Sequence, residues 1–169
     1  MIAIDPGTTH SAYVIVNGGK APTIADGGIC PNESIVEMLD DDSWSFGTLA
    51  IEMVACYGMP VGESTFETCV WIGRFIEAYG GDHVKVYRKK KAECESVTMH
   101  LCKSSRAKDS NIRQAIIDRY EPTGGGKIPQ IGTKAQPGPL YGIKSHLWSA
   151  LAVGITALET RKPKGVEQC

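Results

Sequence analysis

The sequence contains no C-x-x-C pair, no internal repeat, no low-complexity segment and no excess of either charge. Its six cysteines, Cys30, Cys56, Cys69, Cys94, Cys102 and Cys169, are scattered, several of them within apolar or helical patterns. That distribution argues against a disulfide framework or a cysteine-held zinc module and suits reduced thiols in a cytosolic protein. Long apolar runs are missing as well. The longest, Leu147–Leu158, contains Ser149 and Thr156 and is too short to span a bilayer. The first residues carry neither a basic segment nor a long apolar one, so no secretion signal and no membrane association are expected. What is present is an ordinary globular balance: 169 residues, 42% hydrophobic and 22% charged. A chain of this length buries a sufficient core as one domain, expected over 1–160, with 161–169 as a flexible tail.

The net charge of −1 hides an uneven distribution. Between Lys85 and Arg119 there are ten Lys or Arg against four acids, so this stretch carries +6 and the remainder −7. Clustered cations displace counterions from phosphates, which makes the stretch a candidate polyanion-binding face. A solvated helical surface is the plainer explanation for such a run taken alone.

Three strand-like segments come first, Met1–Ile4, Ser11–Val16 and Pro22–Ile29, with Asn17-Gly18-Gly19 as a turn. Ser34 can cap a short helix through Leu39, and Leu49–Val54 reads as a buried strand with one carboxylate, Glu52. Glu63–Tyr79 has Phe66, Cys69, Ile72, Ile76 and Tyr79 at helical spacing and ends at Gly80-Gly81. On the same helix Trp71 and Phe75 form a second apolar edge. Val84–Tyr87 is a further strand, followed by helices over Lys91–Cys102 and Asp109–Tyr120. Pro122–Gly142, with Gly124-Gly125-Gly126 and three further prolines, is incompatible with a regular element and is expected to be functional or mobile. Ser145 can cap a last helix to about Thr160. This order predicts an α/β domain: a mixed five-stranded sheet, meander first, flanked by helices.

Two acidic residues stand out. Asp5 ends an apolar strand before Pro6-Gly7, and Glu52 lies inside another. Carboxylates buried in a small sheet are costly unless a cation or strong donors satisfy them. A hard divalent ion, magnesium or manganese, satisfies both and supports phosphodiester hydrolysis. A turn-forming Asp-Pro-Gly and a Glu paired with a basic side chain are the plainer alternatives.

Four segments in order then resemble the RuvC-like family of Holliday junction resolvases, especially its bacteriophage and prophage versions. They are Ile2-Ala3-Ile4-Asp5-Pro6-Gly7-Thr8-Thr9 with the strand after it, and Leu49-Ala50-Ile51-Glu52. Tyr87-Arg88-Lys89 leading to Ala107-Lys108-Asp109 is the third, and Ser145-His146-Leu147-Trp148-Ser149-Ala150-Leu151-Ala152 the last. The resemblance runs from Met1 to about Leu158. It implies an RNase H-like fold, a homodimer, and magnesium- or manganese-dependent nicking of four-way DNA junctions in the cytoplasm of a bacterial host, the activity of a crossover junction endodeoxyribonuclease. Asp5 and Glu52 match the family's catalytic carboxylates. The last helix of the family brings two more ligands three residues apart, and those positions here are His146 and Ser149. His146 fits as a metal ligand or water-activating base, whereas Ser149 cannot replace a carboxylate. Asp109 is the candidate to complete the site, although as a plain N-cap it needs no catalytic role. Phosphate contacts are expected from Arg88, Lys89, Lys90, Lys91, Lys103, Arg106, Lys108 and Arg113, which position DNA rather than read it. Tyr57 is the candidate for stacking near the junction centre, Trp148 reads as a core or dimer residue, and the helix Glu63–Tyr79, with Trp71 and Phe75 on its second apolar edge, is the expected interface.

Two other readings share these residues. A non-catalytic branched-nucleic-acid-binding module would account for Ser149 as a decayed metal position. An ATP-binding domain of the actin and sugar-kinase type also opens with an Asp-Pro-Gly-Thr-Thr-like turn, but needs a second lobe and a second glycine-rich phosphate turn.

Overall fold

The architecture follows from how the strands divide their side chains between two faces. In the computed structural model, which describes residues 1–19, 22–41, 46–55, 60–88 and 96–160, five strands form one sheet. They are β1 (Ile2–Asp5), β2 (His10–Asn17), β3 (Thr23–Pro31), β4 (Leu49–Met53) and β5 (Val84–Arg88), in the order β3-β2-β1-β4-β5. The first three form the expected antiparallel meander, and β4 and β5 join in parallel. Among the described residues five helices flank the sheet: α1 (Asn32–Asp40), α2 (Glu63–Tyr79), α3 (Val97–Cys102), α4 (Asp109–Ile117) and α5 (Leu147–Glu159). This is the mixed five-stranded, helix-flanked sheet that the sequence predicts.

Alternation with period two sets the two cores. Ile2, Ile4, Ile15, Leu49 and Ile51 point to one face and pack with Ile35, Leu39, Ile72 and Phe75 of α1 and α2. Ala3, Ala12, Val14, Val16 and Ala50 point to the other and pack under α3, α4 and α5. The residues facing α5 are small where β1, β2 and β4 run side by side, so α5 lies close to the sheet. A Cβ at Gly154 would stand only 3.2 Å from Ala3 Cβ and 3.3 Å from Val16 Cγ2. Residues Ala150 to Ala157 of α5 are accordingly buried on every side.

Several expected boundaries move. α1 begins at Asn32 after Pro31, so Ser34 lies inside the helix rather than capping it. The reason is Asn32, whose fully buried side chain is bonded to the turn after β1 and anchors the helix start earlier. Ser96 Oγ caps α3 by accepting from Met99 N at 3.3 Å, and the expected start at Lys91 lies outside the described residues. α4 ends at Ile117, and Asp109 is its first residue while Lys108 occupies the cap position. Ser145 does not cap α5. Its φ of 47° is left-handed, and His146 takes the cap position. The tail 161–169 lies outside the described residues.

The expected stripe of α2 packs inward over its second half, with Ile72 buried and Ile76 and Tyr79 against the core, but not over its first. Phe66 is 63% exposed and Cys69 is exposed, whereas Phe75 is completely buried. Trp71 is half-buried against Phe75, with Arg74 stacked 4.1 Å over its ring. The Trp71–Phe75 edge therefore belongs to the core, and Phe75 is not available for an interface. The helix carries two apolar stripes, and helical spacing alone does not choose between them.

Residues 122–142 contain no helix or strand, as expected, but their backbone is extensively bonded to itself. Gly124 N donates to Pro129 O at 2.8 Å, Gly138 N to Ile131 O at 3.0 Å and Leu140 N to Gln130 O at 2.8 Å. Leu140 reaches the core and is fully buried. Gly124, Gly132 and Gly138 pack backbone against backbone, leaving no space for a Cβ at any of the three.

Candidate active site

The parallel pairing of β1 and β4 sets Ile2 opposite Leu49, Ala3 opposite Ala50 and Ile4 opposite Ile51. Continued by one residue, that register brings Asp5 level with Glu52, on neighbouring strands about 4.8 Å apart. Because Ala3 and Ala50 face α5, Asp5 and Glu52 do so too. Both line one cleft of 320 Å³, together with Pro6 and Thr68.

His146, at the start of α5, stands over the end of β1. Its Nδ1 is 3.1 Å from Asp5 Oδ2, with the imidazole 73% exposed and the carboxylate 16% exposed. At this separation Nδ1–H donates to the carboxylate, or both atoms face one cation. The close approach of α5 to Ala3 makes this contact possible, since a helix held farther from the sheet would lift His146 off Asp5.

Asp109 and Ser149 meet Glu52 in a small adjoining cleft, walled by Val97, Ile112 and Trp148. Thus Asp5, Glu52, His146 and Asp109, far apart in the chain, lie at one end of the sheet. The donor types suit a hard divalent ion that also accepts an imidazole. As the side chains stand, no group of three or more His, Cys, Asp or Glu among the described residues gathers closely enough to hold one.

The turn after Asp5 is held by residues that motif reading overlooks. Gly7 N donates to Ser11 Oγ at 3.0 Å, Ser11 Oγ donates to Asn32 Oδ1 at 2.6 Å, and Asn32 Nδ2 donates to Gly7 O at 3.0 Å. Asn32 N closes the arrangement by donating to Thr9 O at 3.0 Å. Ser11 and Asn32 are 1% and 0% exposed. A Cβ on Gly7 would overlap His10 O, which explains glycine there. The available signal was a polar residue at each of two positions, Ser11 and Asn32, bordering apolar strands.

The basic residues are distributed around this end. Arg88 closes β5, Lys103 follows α3 with φ 56°, and Arg106 and Lys108 lead into α4. All four are exposed. Arg113 lies over the Trp148 ring, 4.9 Å from its centroid. Trp148 packs partly against the core, as expected, but also lines clefts at the site. Arg119, counted in the basic run, is instead committed to Glu159 at 3.0 Å, with His100 Nε2 2.6 Å from the same carboxylate. Burial alone would raise the Glu159 carboxyl, but its hydrogen bonds to Arg119 and His100 outweigh that and hold it below the usual glutamate value. Lys89, Lys90, Lys91 and Tyr57 lie outside the described residues.

Cys30, Cys69 and Cys102 are free thiols, and burial pushes Cys30 and Cys102 up from the ordinary thiol value. No helix among the described residues is long and apolar enough to cross a membrane.

No protein-family model matches the chain, and no curated protein matches it either. Solved structures do. The Thermus thermophilus RuvC structure superposes with a TM-score of 0.60 and T. thermophilus RuvC in complex with Holliday junction substrate with 0.61. In both cases identity is 19%, and 92% of this chain and 92% of the other are covered. At that identity the likeness concerns the fold, which is RNase H-like.

Proposed function

We propose that this chain is a divalent-metal-dependent endonuclease that nicks branched DNA, with four-way junctions as its substrate class. The observation that carries this reading is the placement of Asp5 level with Glu52 on neighbouring parallel strands, with His146 Nδ1 3.1 Å from Asp5. A magnesium or manganese ion would be held by Asp5, Glu52 and His146, with Asp109 completing the set in place of Ser149. The bound ion supplies activation of water and stabilisation of the leaving oxygen.

The chain's own residues do the rest. Asp5 is oriented by the bonded turn behind it, and His146 is set by the start of α5 so that its ring nitrogen meets Asp5. Arg88, Lys103, Arg106, Lys108 and Arg113, with Lys89, Lys90 and Lys91, position the phosphate backbone and provide most of the salt-dependent affinity. The substrate class is supported by the fold, since one of its structural neighbours is described in complex with a Holliday junction. Two coordinated nicks on one junction call for two sites related by a twofold axis, hence a homodimer, in the cytoplasm of a bacterial host. The outer face of α2, where Phe66 and Val70 are 63% and 62% exposed, supplies the apolar surface for that pairing in place of Trp71 and Phe75.

Ser149, which lines the small cleft with Glu52 and Asp109 and brings no carboxylate, favours a second reading: a branched-DNA-binding module without catalysis. One experiment separates the two. The protein is incubated with end-labelled four-way junction, fork, flap and linear duplex, with and without magnesium or manganese. Metal-dependent nicks near the branch point are expected; binding without scission under every condition supports the second reading.

A further inference from the structure

Beside the candidate site, α4, the start of α5 and the 122–142 segment enclose a second, larger cleft of 630 Å³. Its volume falls within the roughly 300–1,000 Å³ typical of small-ligand sites. Asp109, Trp148 and Ser149 line both this cleft and the small one that reaches Glu52, so the two adjoin. We propose that this cleft receives one unpaired nucleobase of the branched DNA, stacked on Trp148 and covered by Arg113. The inference rests on the branched-DNA reading above and adds to it the group that is recognised next to the site.

The chemistry of the walls selects a base over a phosphate. The groups that would attract an anion here are already engaged, Arg113 over the Trp148 ring and His146 with Asp5. The first N–H groups of α5 are already used, Leu147 N on Lys144 O, Trp148 N on Ser145 O and Ser149 N on His146 O, at 3.0–3.2 Å. Asp109 adds a carboxylate to the wall, and the guanidinium of Arg113 lies over the Trp148 ring at 4.9 Å. A flat, neutral, π-rich group fits these features. It can take the place on the indole that Arg113 now covers, with the guanidinium displaced onto the outer face of the base, and lay its edge against Ile117 and Ile128. Gln114 is positioned to meet its polar edge. One amide hydrogen of Gln114 is bonded to Asp118 Oδ1 at 2.7 Å, and that bond leaves the amide oxygen available as an acceptor.

The wall opposite α4 is preformed. Ile128, 42% exposed, is carried by the segment in which Gly124, Gly132 and Gly138 pack backbone to backbone. Ile131 N and Gly132 N both donate to Ile128 O, at 3.0 and 2.9 Å. A hydrophobic side chain held this way offers a stationary surface to a base and loses little entropy on contact.

The test is an abasic scan. Four-way junctions are prepared with a single abasic site at each nucleotide around the branch, and affinity is measured by fluorescence anisotropy, which does not depend on cleavage. Wild-type protein should lose about tenfold or more in affinity when one particular base is missing and little elsewhere, in keeping with base–aromatic stacking. Arg113→Ala, on an exposed side chain, and Trp148→Leu should bind the intact junction more weakly and lose that positional dependence. Trp148→Phe should retain it. A purely structural role for Trp148 would weaken every junction alike. A flat scan for the wild type, or positional dependence unchanged in Arg113→Ala, overturns the base cleft while leaving the branched-DNA reading intact. Failure to bind any branched DNA overturns both. If Trp148→Leu does not fold, Arg113→Ala decides alone.

Discussion

His146 Nδ1 lies 3.1 Å from Asp5 Oδ2 although 141 residues separate them in the chain. Each side chain sits at the end of its element, one closing β1 and the other opening α5, so their contact measures how well the helix is seated on the sheet. The most direct tests follow from that arrangement.

Asp5→Asn and Glu52→Gln should each abolish metal-dependent nicking while leaving junction affinity unchanged or tighter. Removing a carboxylate removes a metal donor and also a charge that repels phosphate. Nicking and gel-shift assays on the same preparations check this. Near-normal cleavage by either variant would remove the metal-nuclease reading.

The donor set predicts an order of metals. An imidazole ligand and one carboxylate fewer favour manganese over magnesium at equal concentration. Ser149→Asp should strengthen magnesium-dependent cleavage unless Asp109 already completes the site, in which case Asp109→Asn is inactive and Ser149→Asp is neutral or harmful. Titrations of nicking against metal concentration, with His146→Ala included, separate these cases. Full activity of His146→Ala would exclude His146 from the site.

Asn32→Ala should destabilise the protein by about 1–3 kcal/mol, because it strands buried polar partners at Ser11 and Gly7. It should also reduce nicking more than junction binding, since the turn it anchors directly follows Asp5. Urea denaturation and paired activity and binding measurements report the two effects separately.

Gly154→Val should cost about 1–3 kcal/mol by overpacking α5 against Ala3 and Val16. The same displacement lifts His146 from Asp5, so activity should fall further than the stability loss explains when assayed well below the melting temperature. Equal activity in a folded Gly154→Val variant would uncouple helix seating from the site.

Glu159 provides the pH dependence. Its carboxyl is held below the ordinary value of 4.5 by Arg119 and His100. A carboxylate with a depressed folded-state value stabilises above its unfolded value, and that contribution disappears as pH falls through the folded one. Acidification from 4.5 downward should therefore cost the wild type more stability than Glu159→Gln. Melting temperatures of both across that range check the sign.

The alternation of apolar residues and the Asn17-Gly18-Gly19 turn were enough to predict the meander, the mixed sheet and the helical order, because period-two and helical patterns are local consequences of burial. Asp5 and Glu52 were legible for the same reason, as carboxylates interrupting apolar strands. That Phe75 is buried and Phe66 exposed was not legible, since the two are equally apolar and only the packing of α1 and the sheet selects Phe75. The clamp formed by Ser11 and Asn32 joins residues 21 positions apart, a pairing that no local period encodes. Ser145 was a reasonable cap by composition, but its backbone is left-handed and the cap position falls to His146. The sequence alone therefore determined the order of the elements and singled out the candidate site residues. Tertiary structure decided their meeting: small residues on one face of the sheet let α5 approach, and that approach sets His146 over Asp5.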